Sequence, residues 1–311
     1  MRAALFGLLL CCALPAWPAP PPERIIRLAE TPGEPPLDPA AAAWERAPAA
    51  TLRLYPQATI AGGPGGEPLT LEARVLRGGT RLALRLAWAD AGENTYDAHA
   101  TDRFADAVAV QFAPPGKTLP YVGMGEPGRA VSLWLWRAGR PPESLTAHGF
   151  GSLERGAAPI EAHARRSAGG WEVVLRGRVA AHAPVALAFA AWDGAEDGRA
   201  GRKRLSAWQA LAAPTGALPA SLREEARAGG DAARGERLYA KLGCAACHAP
   251  QAGLAPDLAS AGDIHWPGYL RRSIREPSAF LVPGYAALMP AFPLQAEDIE
   301  NLTAYLMKRP P

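Results

Sequence analysis

Between about residue 69 and residue 192 the hydrophobic positions of the chain tend to recur at every second residue. Leu82, Leu84, Leu86 and Trp88 alternate with Arg81, Ala83, Arg85 and Ala87, the pattern of a strand with one buried face. Similar short runs occupy Leu69–Leu76, Ala107–Phe112, Val131–Trp136, Trp171–Val179 and Val185–Trp192. Clusters of Gly, Pro, Asp and Asn separate them. The prediction is an all-β antiparallel sandwich, or a barrel, ending near Leu211. Ahead of it, Pro20–Pro36 reads as an extended lead-in. Asp38–Pro48 reads as a short helix capped by Asp38, with Pro39 at its first position. From Ala212 to Gly230 the alternation is lost, and a connector with room for one short helical piece is expected. Beyond it the period becomes helical. Asp231–Leu242, Pro267–Arg275 and Glu297–Met307 are predicted helices, the last with Ile299, Leu302, Tyr305 and Leu306 near one face. The expected organisation is a leader over residues 1–19, a β-sandwich over 20–211, a linker over 212–230 and a small all-α domain over 231–311.

Composition narrows this little. The 311 residues are 49% hydrophobic and 20% charged, ordinary for a folded protein. Gly and Pro, at 32 each, agree with many turns and short strands. A net charge of +3 and the lack of a basic tract give no argument for nucleic acid. Arg2 followed by the apolar run Ala3–Ala16 has the form of a secretory signal, with cleavage after Ala16 or Ala19. That run is shorter than the roughly 20 residues a membrane helix needs, so no transmembrane segment is expected. Cys11 and Cys12 would leave with the signal. The mature chain would then hold two cysteines, and its expected compartment is the periplasm.

Those two cysteines form the motif Cys244-Ala245-Ala246-Cys247-His248. The spacing C-x-x-C-H is that of covalent c-type haem attachment, with the thiols bonded to the porphyrin and the histidine reaching the iron. A redox dithiol, half a zinc site and a disulfide are the alternatives. A dithiol needs no histidine, and no second cysteine pair follows to complete a zinc site. The iron's other face needs a second ligand or an open position. Met289, 41 residues after His248 in "YAALMPAFP", offers a soft thioether on a loop. The competing reading is a gap-filling core methionine, and His265 is a rival ligand that would otherwise lie near a haem propionate or in solvent.

Two resemblances extend these readings. "GERLYAKLGCAACH", "YLRRSIREPSAFLVPGY", "LMPAFP" and "EDIENLTAYL" resemble class I cytochromes c in order and content. That implies Cys244 and Cys247 as thioether residues with His248 and Met289 axial. "LAWADAGENTYDAHATDRFADAVAVQF", "YVGMGEPGRAVSLWLWRA" and "FAAWDGAEDGRAGRKRLSAWQAL" resemble the haem-binding γ subunits of ethylbenzene dehydrogenase, dimethyl sulfide dehydrogenase and selenate or chlorate reductase. This second resemblance implies a non-covalent haem b between the methionine of "GMGEPG", Met124, and the lysine of "GRKRLS", Lys203. A lysine amine binds iron only when deprotonated, which demands a pocket that lowers its pKa. The bland alternative makes Lys203 a solvated loop charge and Met124 a packing residue. His99, His148, His163 and His182 are further candidate ligands, Arg103 and Arg129 candidate partners of the propionates, and Trp88, Trp134, Trp136 and Trp192 core or pocket wall.

The resemblances together imply an exported two-haem electron-transfer subunit, not itself an enzyme. Its partners would be the molybdopterin and iron–sulfur subunits of an oxidoreductase complex, and a soluble cytochrome or other redox carrier. Two other classes stay open on the residues alone. One is a haem enzyme with an open iron, such as a small peroxidase or nitrite-reducing cytochrome. The other is a cytochrome c fused to a haem-free binding module.

Overall fold

The computed structural model describes residues 24–57, 66–167, 169–179, 186–250 and 252–308. The expected signal segment, with Cys11 and Cys12, lies outside the described residues, as does His182. Thirteen strands are described. They are β1 (Ile25–Glu30), β2 (Ala50–Pro56), β3 (Leu69–Gly78), β4 (Arg81–Ala89), β5 (Ala107–Phe112), β6 (Val131–Arg137), β7 (Glu143–Ala147), β8 (Glu154–Arg155), β9 (Ile160–Ser167), β10 (Gly170–Arg178), β11 (Ala186–Trp192), β12 (Arg204–Leu205) and β13 (Gln209–Ala212).

Strands β8-β7-β6-β5-β11-β12 follow one another in one half of the sheet order and β2-β3-β4-β10-β9 in the other. All of these pairings are antiparallel, and the two halves meet where β12 pairs with β2. β1 runs parallel to both β13 and β3, pairing Ile26 with Leu211 and Leu28 with Val75. The lead-in expected around Pro20–Pro36 therefore contains a strand that stitches the two halves together. Between them lies one apolar core, to which Leu54, Leu71, Leu84, Val110, Leu175 and Phe189 contribute fully or almost fully buried side chains. Trp136 stacks edge-on against Trp171 of the opposite half, with ring centroids 4.9 Å apart, and against Trp88 at 6.4 Å. Such pairs add to the area they bury.

Asp38 does not cap a helix as predicted. Its carboxylate accepts from the Ala40 amide at 2.9 Å, a turn of its own, and the helical piece is a 3₁₀ segment over Ala42–Arg46. That local bond gives the backbone an alternative to the longer helix.

Six α-helices follow among the described residues: α1 (Arg223–Ala226), α2 (Ala232–Lys241), α3 (Ala245–His248), α4 (Ala261–Ile264), α5 (Pro267–Arg275) and α6 (Ala296–Lys308). Asp231 caps α2, accepting from the amides of Ala233 and Arg234. Helices α2 and α6 cross tightly because Gly235 of α2 has no side chain: a Cβ there would overlap the Asn301 carbonyl. Gly235→Ala is therefore expected to destabilise the helical domain by about 1–3 kcal/mol or more, since neither backbone can yield. Thermal unfolding followed by far-ultraviolet circular dichroism checks this.

The helical domain is docked on the sandwich. Trp266 donates its indole N–H to the Trp208 carbonyl at 2.6 Å, and the Arg24 guanidinium reaches the carbonyls of Gly262 and His265. Arg272 of α5 donates to the Leu119 carbonyl at 3.0 Å. Residues between the modules share this packing. Leu222 is fully buried in the same apolar cluster as Ile264, Trp266, Leu205 and Trp208, worth about 2 kcal/mol for that leucine alone.

Candidate functional site

A cavity of about 900 Å³ opens on the outer face of the β5–β11 half. The sequence hollows it. Strands β5 and β11 put Val108, Val110, Leu187 and Phe189 into the core, and their alternate positions Ala107, Ala109, Ala188 and Ala190 line the cavity floor. Leu133, Leu135, Leu145 and Trp192 add apolar walls.

Met124 lines this cavity from the turn that follows Tyr121. Its φ is +81°, left-handed and rare for a side-chain-bearing residue. Such a conformation costs about 1–3 kcal/mol and persists only when its surroundings impose it. Here Gly125 donates to the Tyr121 carbonyl and Gly149 to the Met124 carbonyl, each at 3.0 Å. Gly125, at φ +76°, continues the left-handed path.

Lys203 reaches the same cavity from the sequence-distant end of β12. Alternation decides its direction. Lys203 and Leu205 point inward and are buried, while Arg204 between them turns out to Glu196 and the Glu67 carbonyl. The Lys203 side chain sits with Nζ 5.6 Å from the Trp192 ring centre and 5.8 Å from that of Phe150. Burial lowers its pKa from 10.5 to about 8.

A soft sulfur, an amine that gives up its proton easily, and apolar walls suit a large planar macrocycle with an iron centre. Arg103, Arg137, Arg140 and Arg199 also line the cavity and suit its carboxylates. Arg129 does not join them. It pairs with Glu126 and lies on a separate groove. His99, His148 and His163 are exposed and line neither this cavity nor the one described next.

A second cavity, about 310 Å³, lies in the helical domain and is lined by Cys244, Cys247, His248 and Met289 together. Helix α2 ends at Lys241; Gly243 just beyond it, at φ +70°, turns the chain, and the Cys244 amide returns to the Tyr239 carbonyl at 3.2 Å. One turn of α3 then brings both cysteines and the histidine to one wall. The two cysteines form no disulfide with each other. The His248 ring holds its Nδ1 2.8 Å from the Pro256 carbonyl. A carbonyl only accepts, so Nδ1 bears the proton and Nε2 keeps its lone pair for a metal. Met289 reaches the cavity from the loop between α5 and α6, with Leu254, Tyr285 and Phe292 around it.

His265 is not in solvent. Its ring stacks on Tyr269 with centroids 4.2 Å apart, and it lines the small cavity. Burial, with the nearby Arg24 charge, lowers its pKa to about 3, so the ring is neutral.

Residues 41–155 match the family model described as ethylbenzene dehydrogenase, and residues 230–306 match the one described as cytochrome c oxidase, cbb3-type, subunit III. The gamma subunit of chlorate reductase from Ideonella dechloratans is 34% identical over 237 residues, which span 67% of this chain and 95% of that protein. The chain belongs to this gamma-subunit family. A candidate respiratory nitrate reductase haem subunit of Haloferax mediterranei is 31% identical over 56% of this chain and 67% of its own length. The chain also aligns with a family 9 carbohydrate-binding module of Caldicellulosiruptor kristjanssonii over 58% of its length and 82% of that one's. At 10% identity and a TM-score of 0.33, that likeness carries no argument. The chain is an electron-transfer subunit and not itself catalytic. Its helical part is a c-type cytochrome domain following the mostly antiparallel β domain. No helix among the described residues is long and apolar enough to cross a membrane.

Proposed function

We propose that this gamma subunit holds two haems on one polypeptide. Met124 and Lys203 are the axial pair for a non-covalent haem b in the large cavity. Cys244 and Cys247 anchor a covalent haem c in the small one, where His248 and Met289 are the axial pair. The bound groups supply reversible one-electron iron chemistry. With Met124 and Lys203 holding one iron and His248 and Met289 the other, this chain's own side chains would keep substrates away from both. They also keep the two redox centres at a fixed relation. One observation carries the reading: a sulfur and a buried, readily deprotonated amine, 79 residues apart in sequence, line the same cavity.

In this reading residues 1–19 export the chain to the periplasm, 20–211 form the haem b domain, 212–230 connect, and 231–311 form the cytochrome domain. The partners are the molybdopterin and iron–sulfur subunits of a molybdenum oxidoreductase. The cytochrome face exchanges electrons with a soluble cytochrome or another carrier. Pyridine haemochrome analysis of the purified chain tests the count. Two haems per chain are expected, one extracted by acidic acetone and one left covalently bound. A single haem, with nothing extracted, overturns the assignment of the large cavity.

A further inference from the structure

Between the two cavities stands a continuous cluster of aromatic rings. Phe150 lines the large cavity. Its ring meets that of Tyr121 edge-on, with centroids 6.3 Å apart. Tyr121 is 2% exposed and lies 5.0 Å from the ring of Phe280 and 5.9 Å from that of Tyr269. Phe280 and Tyr269 both line the small cavity. No backbone connects these walls directly, because the rings come from the loop after β7, the turn before β6, the loop after α5 and α5 itself.

The same turn serves both sides. Tyr121 precedes Met124 by three positions, and the Tyr121 carbonyl accepts the Gly125 amide that helps hold Met124 in its left-handed conformation. Gly123 leaves room for the Tyr121 ring, which a Cβ there would strike. Outside, the turn is clamped twice. Glu126 accepts from the Tyr121 amide at 3.0 Å, and Arg272 of α5 holds the Leu119 carbonyl at 3.0 Å.

We propose that Tyr121 is the central element of an aromatic bridge that couples the two redox sites electronically. This rests on the two-haem reading. In the step concerned, one electron leaves a ferrous iron in one cavity and arrives at a ferric iron in the other. The first is oxidised, the second is reduced, and no proton or bond is exchanged. The rings are not themselves oxidised. They fill with packed π-electron density a span that would otherwise be void or water, and electronic coupling across a void falls off exponentially with its width.

The test uses the full chain loaded with both haems. In Tyr121→Leu, the rate of electron transfer between the haems after flash photoreduction is expected to fall by about tenfold or more, since the contacts across the gap are lost. Tyr121→Phe, which keeps the ring, is expected to restore the wild-type rate. Both variants are expected to keep the wild-type optical spectra, midpoint potentials and iron–iron distance by pulsed electron paramagnetic resonance. A Tyr121→Leu rate equal to wild type, with both haems present, overturns the bridge. So does a slowed rate that Tyr121→Phe fails to rescue, or one explained by a longer iron–iron distance. If Tyr121→Leu disturbs the turn and loses haem b, Phe280→Leu replaces it, with Phe280→Tyr as the variant that keeps the ring. Because Phe280 lines the small cavity, its rate is compared with wild type after correction for any change in midpoint potential, and a corrected rate equal to wild type overturns the bridge. A wild-type chain with a single haem defeats the two-haem reading itself, a result separable from any of these.

Discussion

Lys203→Arg is expected to empty the large cavity of its extractable haem while leaving the covalent one in place. The guanidinium keeps the positive charge but cannot give up a proton to bind iron. A substitution that is conservative on a surface is therefore disabling here. Haem counting before and after acid-acetone extraction reads the outcome directly. An arginine variant that retains a haem b with an unchanged spectrum removes Lys203 from the iron. The same side chain makes a second, opposite mark on stability. Its folded-state pKa of about 8 lies below the ordinary 10.5 of the unfolded chain. Between those values the unfolded state binds more protons. The haem-free protein should thus gain stability as pH rises from about 8 to about 10.5 and bear the full penalty below about 8. At neutral pH that penalty is on the order of 3 kcal/mol. Lys203→Leu is expected to abolish haem b binding, raise the stability of the haem-free chain at pH 7 and flatten its pH dependence. Denaturant titrations near pH 7 and about pH 10 check the sign.

Met289→Ala is expected to lower the midpoint potential of the covalent haem and abolish its far-red sulfur-to-iron band. A neutral thioether favours ferrous iron, and its loss to water or nitrogen favours ferric. A fall on the order of 0.1 V or more is expected, within the ~0.8 V range that axial ligands command. The reduced variant should also bind carbon monoxide, which the native iron should not. His265 lines the same cavity, so the companion variant His265→Ala matters. If the native protein lacks the band, and His265→Ala rather than Met289→Ala opens the iron to carbon monoxide, the ligand is His265.

The long strands and helices were legible because their periods survive in single segments. Predicted limits for β4, β5, β6, β10 and β11 fall within a residue or two of those observed. β1 was hidden, since Ile25–Glu30 has the uneven burial of a strand shared between two neighbours and sits among prolines and glutamates. β9 was hidden for the opposite reason: among the described residues it pairs only with β10, and its half-buried or exposed, largely polar side chains have little apolar signal to show. Of the sites, the Cys–Cys–His wall could be read from spacing alone, because one helical turn builds it. Met124 and Lys203 could be named only by resemblance. Their place on one cavity depends on a left-handed turn and on strand pairing far away in sequence. A sequence signal was nevertheless present in the alanines at positions 107, 109, 188 and 190, whose smallness on one face of buried strands leaves room for a guest.

The burial of Leu222, Ile264 and Trp266 in one cluster with Leu205 and Trp208 bears on how the molecule comes apart. A cut through the stretch between the modules would strip both partners of a shared apolar seam and leave each fragment sticky. The cytochrome is accordingly less a passenger on a leash than a wall of the house: heat or denaturant should take both halves down in one transition.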